Sequence, residues 1–190
     1  MVLIDRAPPN ARHDCVLLDN SKAMATLVEH LVERGYRRIA GVFGKASSTG
    51  DERRNGYLES MRRHGLSPKF QRVAPTVEAA HATVRGLLNG DERPDALVVS
   101  NSLLLMGAFQ AVREARLAIP RDLALAGFDN ESWTGLVDPG ITVIEQPVEE
   151  IGRAAMSLLF ERLKSPELST RKLVLSGRAV LRGSTAARVK

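Results

Sequence analysis

The chain has 190 residues, 44% of them hydrophobic and 26% charged, the balance of a soluble globular domain rather than of a disordered segment. Lys and Arg number 27 against 22 Asp and Glu, a formal net charge of +5. The basic residues come as scattered pairs (Arg37-Arg38, Arg53-Arg54, Arg62-Arg63) with acids nearby, and aromatics are only 4%, so neither a basic stripe nor a base-stacking platform for nucleic acid is indicated. No apolar run approaches a bilayer span, and Met1–Ile4 meets Asp5-Arg6 before a secretory core forms. A single cysteine, Cys15, excludes an internal disulfide; a cytoplasmic location and no membrane partner are expected.

Short β-branched runs alternate with amphipathic stretches along the chain. Val2–Asp5 and Cys15–Asp19 are predicted strands, with Cys15 an inert buried thiol. Asn20 or Ser21 is expected to cap the next helix, which puts Ala23, Met24, Leu27, Val28, Leu31 and Val32 on one face and stops at Gly35. Arg38–Phe43 predicts a strand, Gly44–Gly50 a loop and Asp51–His64 a helix ended by Gly65. Phe70–Ala74 and Thr76–Asn89 predict a strand and a helix. Ala96–Val99 is an unbroken apolar strand, the kind buried on both faces. Leu103–Arg116 is helical, with Pro120 beyond its end. Leu123–Phe128 and Ile141–Glu145 are strands, Val148–Lys164 is a helix that Pro147 can start, and Arg171–Leu181 is extended.

This alternation predicts an α/β fold, a parallel sheet flanked by helices and built from right-handed crossovers. Ligands of such sheets bind beyond the carboxyl ends of the strands, which directs attention to Gly44–Arg53, Ala74–Thr76, Ser100–Ser102 and Phe128–Trp133. Arg53, Asn101 and Asp129 supply a donor fork, an amide that both donates and accepts, and a carboxylate that can accept from two neighbouring hydroxyls. Together they suit a small polyhydroxylated or carboxylated ligand, and Phe128 or Trp133 can offer an apolar wall to a sugar ring. Duller roles exist for each. Asn101 can cap the helix that follows, Asp129-Asn130 can be turn chemistry, and Arg53 can be a surface arginine offset by Asp51 and Glu52. Trp133 can belong to a core or an interface.

Catalytic and cofactor signals are weak. His13, His30, His64 and His81 lack metal-helix spacing, and neither G-x-S-x-G nor G-x-G-x-x-G occurs. Gly44-Lys45-Ala46-Ser47-Ser48-Thr49-Gly50 has the look of a phosphate cradle before a helix but lacks the Gly-Lys-Ser/Thr ending of a nucleotide loop. No enzyme activity, metal or cofactor is expected; a small phosphate-using enzyme built on Lys45 is the last-ranked reading.

Leu18-Asp19-Asn20, His30-Leu31 and Gly35-Tyr36-Arg37-Arg38-Ile39-Ala40 resemble the LacI/GalR family of bacterial transcription regulators. So do Arg53-x-x-Gly56-Tyr57, Pro94-Asp95-Ala96, Ser100-Asn101 with Gly107-Ala108, and Ile119-Pro120-Arg121-Asp122 leading to Gly127-Phe128-Asp129-Asn130. Pro139, Thr142-Val143-Ile144-x-Gln146-Pro147, Ile151-Gly152 and Arg182-x-Ser184-Thr185 extend the match, in order, over nearly the whole chain. The resemblance implies a periplasmic-binding-protein-like, two-lobed sensor of sugars or related metabolites, which binds operator DNA through a separate N-terminal head and works as a homodimer.

By position, Arg53, Asn101 and Asp129 match effector-contacting residues, with Phe128 beside them and Gln146 at the crossover between lobes. Leu103, Leu104, Met106 and Trp133 match parts of the dimer interface. Ser102 departs from the Asp common in the family, and Leu103-Leu104-Leu105-Met106 is more apolar than usual. The implied organisation is one complete lobe with remnants of the other. Residues 1–19 belong to the first lobe and crossover, 20–145 form the effector-binding second lobe, 146–166 return to the first, and 167–190 lead back to the second lobe and a tail. The head and most of the first lobe are expected to be absent from these 190 residues. A periplasmic sugar-binding protein for transport shares the fold and is the alternative.

Overall fold

The computed structural model describes residues 1–8 and 10–187; residue 9 and residues 188–190 of the expected end segments lie outside them. Two sheets organise the chain. The larger is built from β3 (Ile39–Gly44), β4 (Lys69–Val73), β5 (Ala96–Val99), β6 (Ala124–Phe128), β7 (Thr142–Glu145) and β9 (Arg178–Val180), in the order β4-β3-β5-β6-β7-β9. The first five run parallel, and β9 closes the edge antiparallel to β7.

The strands alternate sides as period-two geometry requires. Ala96, Val98, Ala126 and Phe128 face one core with α1 (Asn20–Glu33) and α2 (Ser48–Arg63). Leu97, Val99, Leu123 and Leu125 face the opposite core with α3 (Val77–Asn89) and α4 (Ser102–Glu114). The helix pairs approach closely at two glycines. A Cβ at Gly56 would lie 2.1 Å from the Ser21 carbonyl oxygen, and one at Gly107 would lie 2.1 Å from that of Val77.

The smaller sheet is parallel throughout: β1 (Val2–Ile4), β2 (Asp14–Leu18) and β8 (Lys172–Leu175), in the order β1-β2-β8. Helix α6 (Val148–Lys164) covers one face, packing Ile151 and Leu158 on Val16. Its other stripe, Met156, Phe160 and Leu163, is exposed. The expected return segment 167–190 therefore divides. The strand β8 stays with the small sheet, and the turn at Ser176-Gly177 sends β9 to the large one.

Beyond β9, Ser184 donates to the Leu125 carbonyl at 2.6 Å and accepts from the Thr142 N–H at 2.8 Å. Thr185 bonds Thr142 Oγ1 at 2.7 Å and His30 Nε2 at 2.8 Å, so residues 184 and 185 are buried against the sheet.

Helix starts differ from expectation. Asp19, not Asn20 or Ser21, caps α1 by accepting from the Lys22 N–H at 3.0 Å. Ser47 caps α2, which begins at Ser48, three residues before the expected start, and this moves Arg53 from the first turn to the second. Pro147 occupies the cap of α6 rather than its first helical position. A five-residue helix, α5 (Ser132–Leu136), lies where a loop was expected; its length falls below what hydrophobic periodicity resolves. Among the described residues no helix is long and apolar enough to cross a membrane.

Candidate functional site

A cavity of about 400 Å³ opens at the carboxyl ends of β3, β5 and β6, where the parallel-sheet rule places ligands. Arg53, Asn101, Asp129 and Gln146 all line it, brought together from the second turn of α2 and from three separate connections. From the small sheet Asp5 and Arg6 face the same space, while Lys45, Ser47, Thr49 and Gly50 line its side at the start of α2.

Arg53 is 4% exposed. Its Nε donates to Asn20 Oδ1 at 2.7 Å, its Nη1 donates to the Ser100 carbonyl, and its guanidinium rests on the Phe128 ring. Burial lowers its pKa to about 10, against the opposing pull of Asp129 and Asp5, so it is charged at neutral pH. Asn20 in turn donates to Glu52 Oε2 at 2.8 Å, which fixes the amide that aims the arginine.

Asn101 does cap α4, its Oδ1 accepting from the Leu104 N–H at 2.9 Å. Capping uses only the amide oxygen; the nitrogen is available to the cavity. Asp129 follows β6 with φ 73°, a left-handed conformation that Asp tolerates better than most residues. Its Oδ2 accepts from the Ser102 N–H at 3.1 Å and its Oδ1 from Gln146 Nε2 at 2.7 Å. A carboxylate at a helix N-terminus is electrostatically favoured, so Asp129 and Asn101 jointly complete the first turn of α4 while facing the cavity. Ser102 thus contributes its backbone N–H.

Phe128 is not a wall of this cavity. It is fully buried in the core beneath the sheet and acts as the platform under Arg53. Leu104 is likewise fully buried against the sheet, which removes it from any interface. Leu103 is 50% exposed and also lines the cavity, and Met106 is half-buried. Trp133, the first-turn residue of α5, is half-buried with its ring centroid 5.6 Å from that of Phe109; it does not line the cavity.

Asp5, Arg6 and Asn20 were missed by sequence reasoning. The strand-end rule, applied to Val2–Asp5 as it was to later strands, reaches Asp5 and Arg6. Asn20 shows no such signal, because its partner lies 33 positions away. Among the described residues no group of His, Cys, Asp or Glu is placed to hold a metal ion.

A parallel sheet with polar side chains gathered at its strand ends, faced across a cleft by residues of a second sheet, is the architecture of a two-lobed ligand receptor. Residues 28–185 match the model of the periplasmic binding protein-like domain. The repressor CytR of Escherichia coli K12 is 31% identical over 98% of this chain and 56% of its own length. The ribose operon repressor of the same organism is 32% identical over 96% of this chain and 57% of its own. The chain thus spans little more than half the length of these relatives. Among solved structures, the transcriptional regulator CelR in complex with cellobiose superposes with a TM-score of 0.88 at 27% identity, over 96% of this chain and 58% of that one. The chain belongs to the periplasmic binding protein-like domain family and is similar over nearly its whole length to LacI-family transcription regulators.

Proposed function

We propose that this chain senses a small polyhydroxylated metabolite, a sugar or close relative, and is the effector-binding and dimerising part of a longer cytoplasmic regulator. The observation that carries the reading is the convergence of Arg53, Asn101, Asp129 and Gln146 on one cavity. Asp129 and the Asn101 amide pair with ring hydroxyls, and the Arg53 fork fixes orientation. The cellobiose complex of CelR and the ribose operon repressor among the relatives support the ligand class.

The exposed stripe Met156-Phe160-Leu163 on α6 and the open edges β1 and β8 of the small sheet support a missing remainder of the first lobe, which would pack there. DNA contact belongs to a separate head, and effector binding shifts a lobe-closure equilibrium that the whole protein transmits to it. That the relatives are repressors supports a receptor rather than an enzyme.

The test is a thermal-melt titration of the chain against free sugars, nucleosides and sugar acids, with Asp129→Asn alongside. Stabilisation that grows with the concentration of one compound and disappears in the variant is expected. Stabilisation by no compound, or by one that Asp129→Asn leaves unchanged, counts against the reading.

A further inference from the structure

Taking the cavity as the effector site, we propose that Arg182 is a positioning residue for it: from beyond the last strand, and through Asn130, it holds the turn that aims the Asp129 carboxylate into the cavity. Arg182 itself does not line that cavity.

The turn needs holding. Asp129 stands at φ 73°, a backbone region that a residue with a side chain keeps only where its neighbours impose it. On the side before it the chain is fixed, since the Asp129 N–H donates to the Ile144 carbonyl at 2.9 Å. On the side after it the Asn130 side chain does the same from an exposed position. Its Oδ1 accepts from Arg182 Nη2 at 2.6 Å, and its Nδ2 donates to Glu145 Oε1 at 2.7 Å. The amide fits one way round only: turned over, it would set donor against donor and acceptor against acceptor.

Both partners of Asn130 are fixed in their turn. Arg178, the first residue of β9 and the register partner of Glu145, donates to Glu145 Oε2 through Nε at 3.0 Å and Nη2 at 2.5 Å. The Asn130 bond first, and then those from Arg178, hold the Glu145 carboxyl below its ordinary pKa, so it remains an acceptor in neutral solution. Arg182, just past β9, exchanges two backbone hydrogen bonds with Thr142 Oγ1, at 2.9 and 3.1 Å. Its Nη1 donates to the Ile141 carbonyl at 2.7 Å and to Thr134 Oγ1 at 3.3 Å. Its methylene chain crosses Gly140, where a Cβ would come within 2.8 Å of Arg182 Cδ. The guanidinium is thus placed by contacts that do not involve Asn130, and its Nη2 reaches the turn. Losing that bond frees the chain after Asp129, and the carboxylate can then leave the Ser102 N–H and the Gln146 amide from which it accepts. Those two donors report on Arg182 without touching it.

The experiment reads the Ser102 backbone amide and the Gln146 side-chain amide by NMR in the ligand-free 190-residue chain, with Asp129→Ala marking where both signals fall once the carboxylate is gone. Asn130→Ala and Arg182→Lys are each expected to move both signals toward those positions while the amides of Ala96–Val99 stay in place. Arg182→Lys added to Asn130→Ala should move them no further, because both break one link. Titrations of the same proteins with ribose and with cellobiose supply the second readout. Whichever sugar binds should bind about threefold or more weakly in Asn130→Ala, the scale of one hydrogen bond's contribution. Signals that stay put in both variants, or shifts that add, overturn the proposal. Equal movement throughout the sheet overturns it too, since Arg182 is then a structural support alone, and so do displaced signals with unchanged sugar affinity. Binding by neither sugar counts against the receptor reading only, and the ligand-free signals still decide whether Arg182 places the carboxylate.

Discussion

The guanidinium carbon of Arg53 lies 3.9 Å from the centroid of the Phe128 ring. The aromatic face, fully buried, thereby fixes a cation that opens toward the cavity from above it. Cation–π attraction strengthens when both partners are out of water, reaching about 2 kcal/mol. The ring thus holds a cavity-lining cation without lining the cavity itself.

Replacing Phe128 therefore has two separable effects. Phe128→Ala should lower unfolding free energy by about 3–5 kcal/mol, and Phe128→Leu by about 1–2 kcal/mol, through lost burial and the lost platform. Phe128→Leu should also weaken the effector, since Arg53 is no longer held. Urea denaturation and ligand titration of the two variants check this; a Phe128→Leu protein with unaltered affinity would show that Asn20 and Ser100 alone position the arginine.

Much of the fold was legible because its signals are local. The four apolar residues Ala96–Val99 declare a strand buried on both faces, and the structure divides them alternately between two cores. Long-range pairing left no such mark. Asn20 and Asp19 are chemically equivalent as caps, so nothing in the local sequence says that Asp19 takes the helix and leaves Asn20 for Arg53. The run Leu103-Leu104-Leu105-Met106 has an apolar residue at every helical angle, so the pattern cannot phase α4, and only the structure separates exposed Leu103 from buried Leu104. At Asn101 the cap and the cavity roles were read as alternatives, whereas the geometry lets one side chain face both.

Glycines on the helices make a prediction of opposite signs. Gly56→Ala forces a methyl group within 2.1 Å of the Ser21 carbonyl oxygen, backbone that cannot swing aside, so α1 and α2 must separate. The expected loss is about 1–3 kcal/mol or more. A Cβ at Gly86, inside α3, would meet nothing within 4 Å, and Gly86→Ala should stabilise by about 0.5–1 kcal/mol. Chemical denaturation of the two single variants decides; equal effects would mean that the close approach of α1 and α2 is not rigid.

Asp14 ties the small sheet together. Its buried carboxylate receives Arg162 Nε at 3.0 Å and Nη2 at 2.9 and 3.0 Å, and the Arg171 N–H at 2.8 Å. Burial pushes its pKa up, but the Arg171 N–H and the Arg162 guanidinium outweigh it and hold the carboxyl below its ordinary value. Removing one partner strands a buried charge, so Arg162→Met should cost about 3–5 kcal/mol, and Asp14→Asn added to it should recover part of the loss. A double variant no more stable than Arg162→Met would show that packing, not charge, carries the cost.

His30 should give the chain a pH dependence in mildly acid solution. Burial, then the nearby Arg34, lowers its pKa from 6.5, with Glu33 opposing. The unfolded chain therefore binds the proton more readily than the folded one between that lowered value and 6.5. Stability should rise with pH through this window and level off above it, the sign required when the unfolded state holds more protons. His30→Gln, which keeps an amide near Thr185, should flatten that part of the profile. Urea midpoints measured from pH 5 to 8 for both proteins test it; parallel curves would remove His30 as the source.

Self-association should run through the exposed apolar residues beside α4 and α5. Leu103 is 50% exposed and Leu136 84%, and the Phe109–Trp133 contact joins the two helices. Apolar groups of this size at the surface favour a covered state, and a two-fold pairing presents the same patch from both copies. Sedimentation equilibrium should find a dimer that Leu103→Lys and Leu136→Lys together convert to a monomer with the thermal midpoint of the monomer preserved. Leu104→Ala, one position along but fully buried, should instead cost about 2–5 kcal/mol of folding stability. A chain that stays monomeric at high concentration, or a dimer indifferent to both lysines, would assign that surface another role.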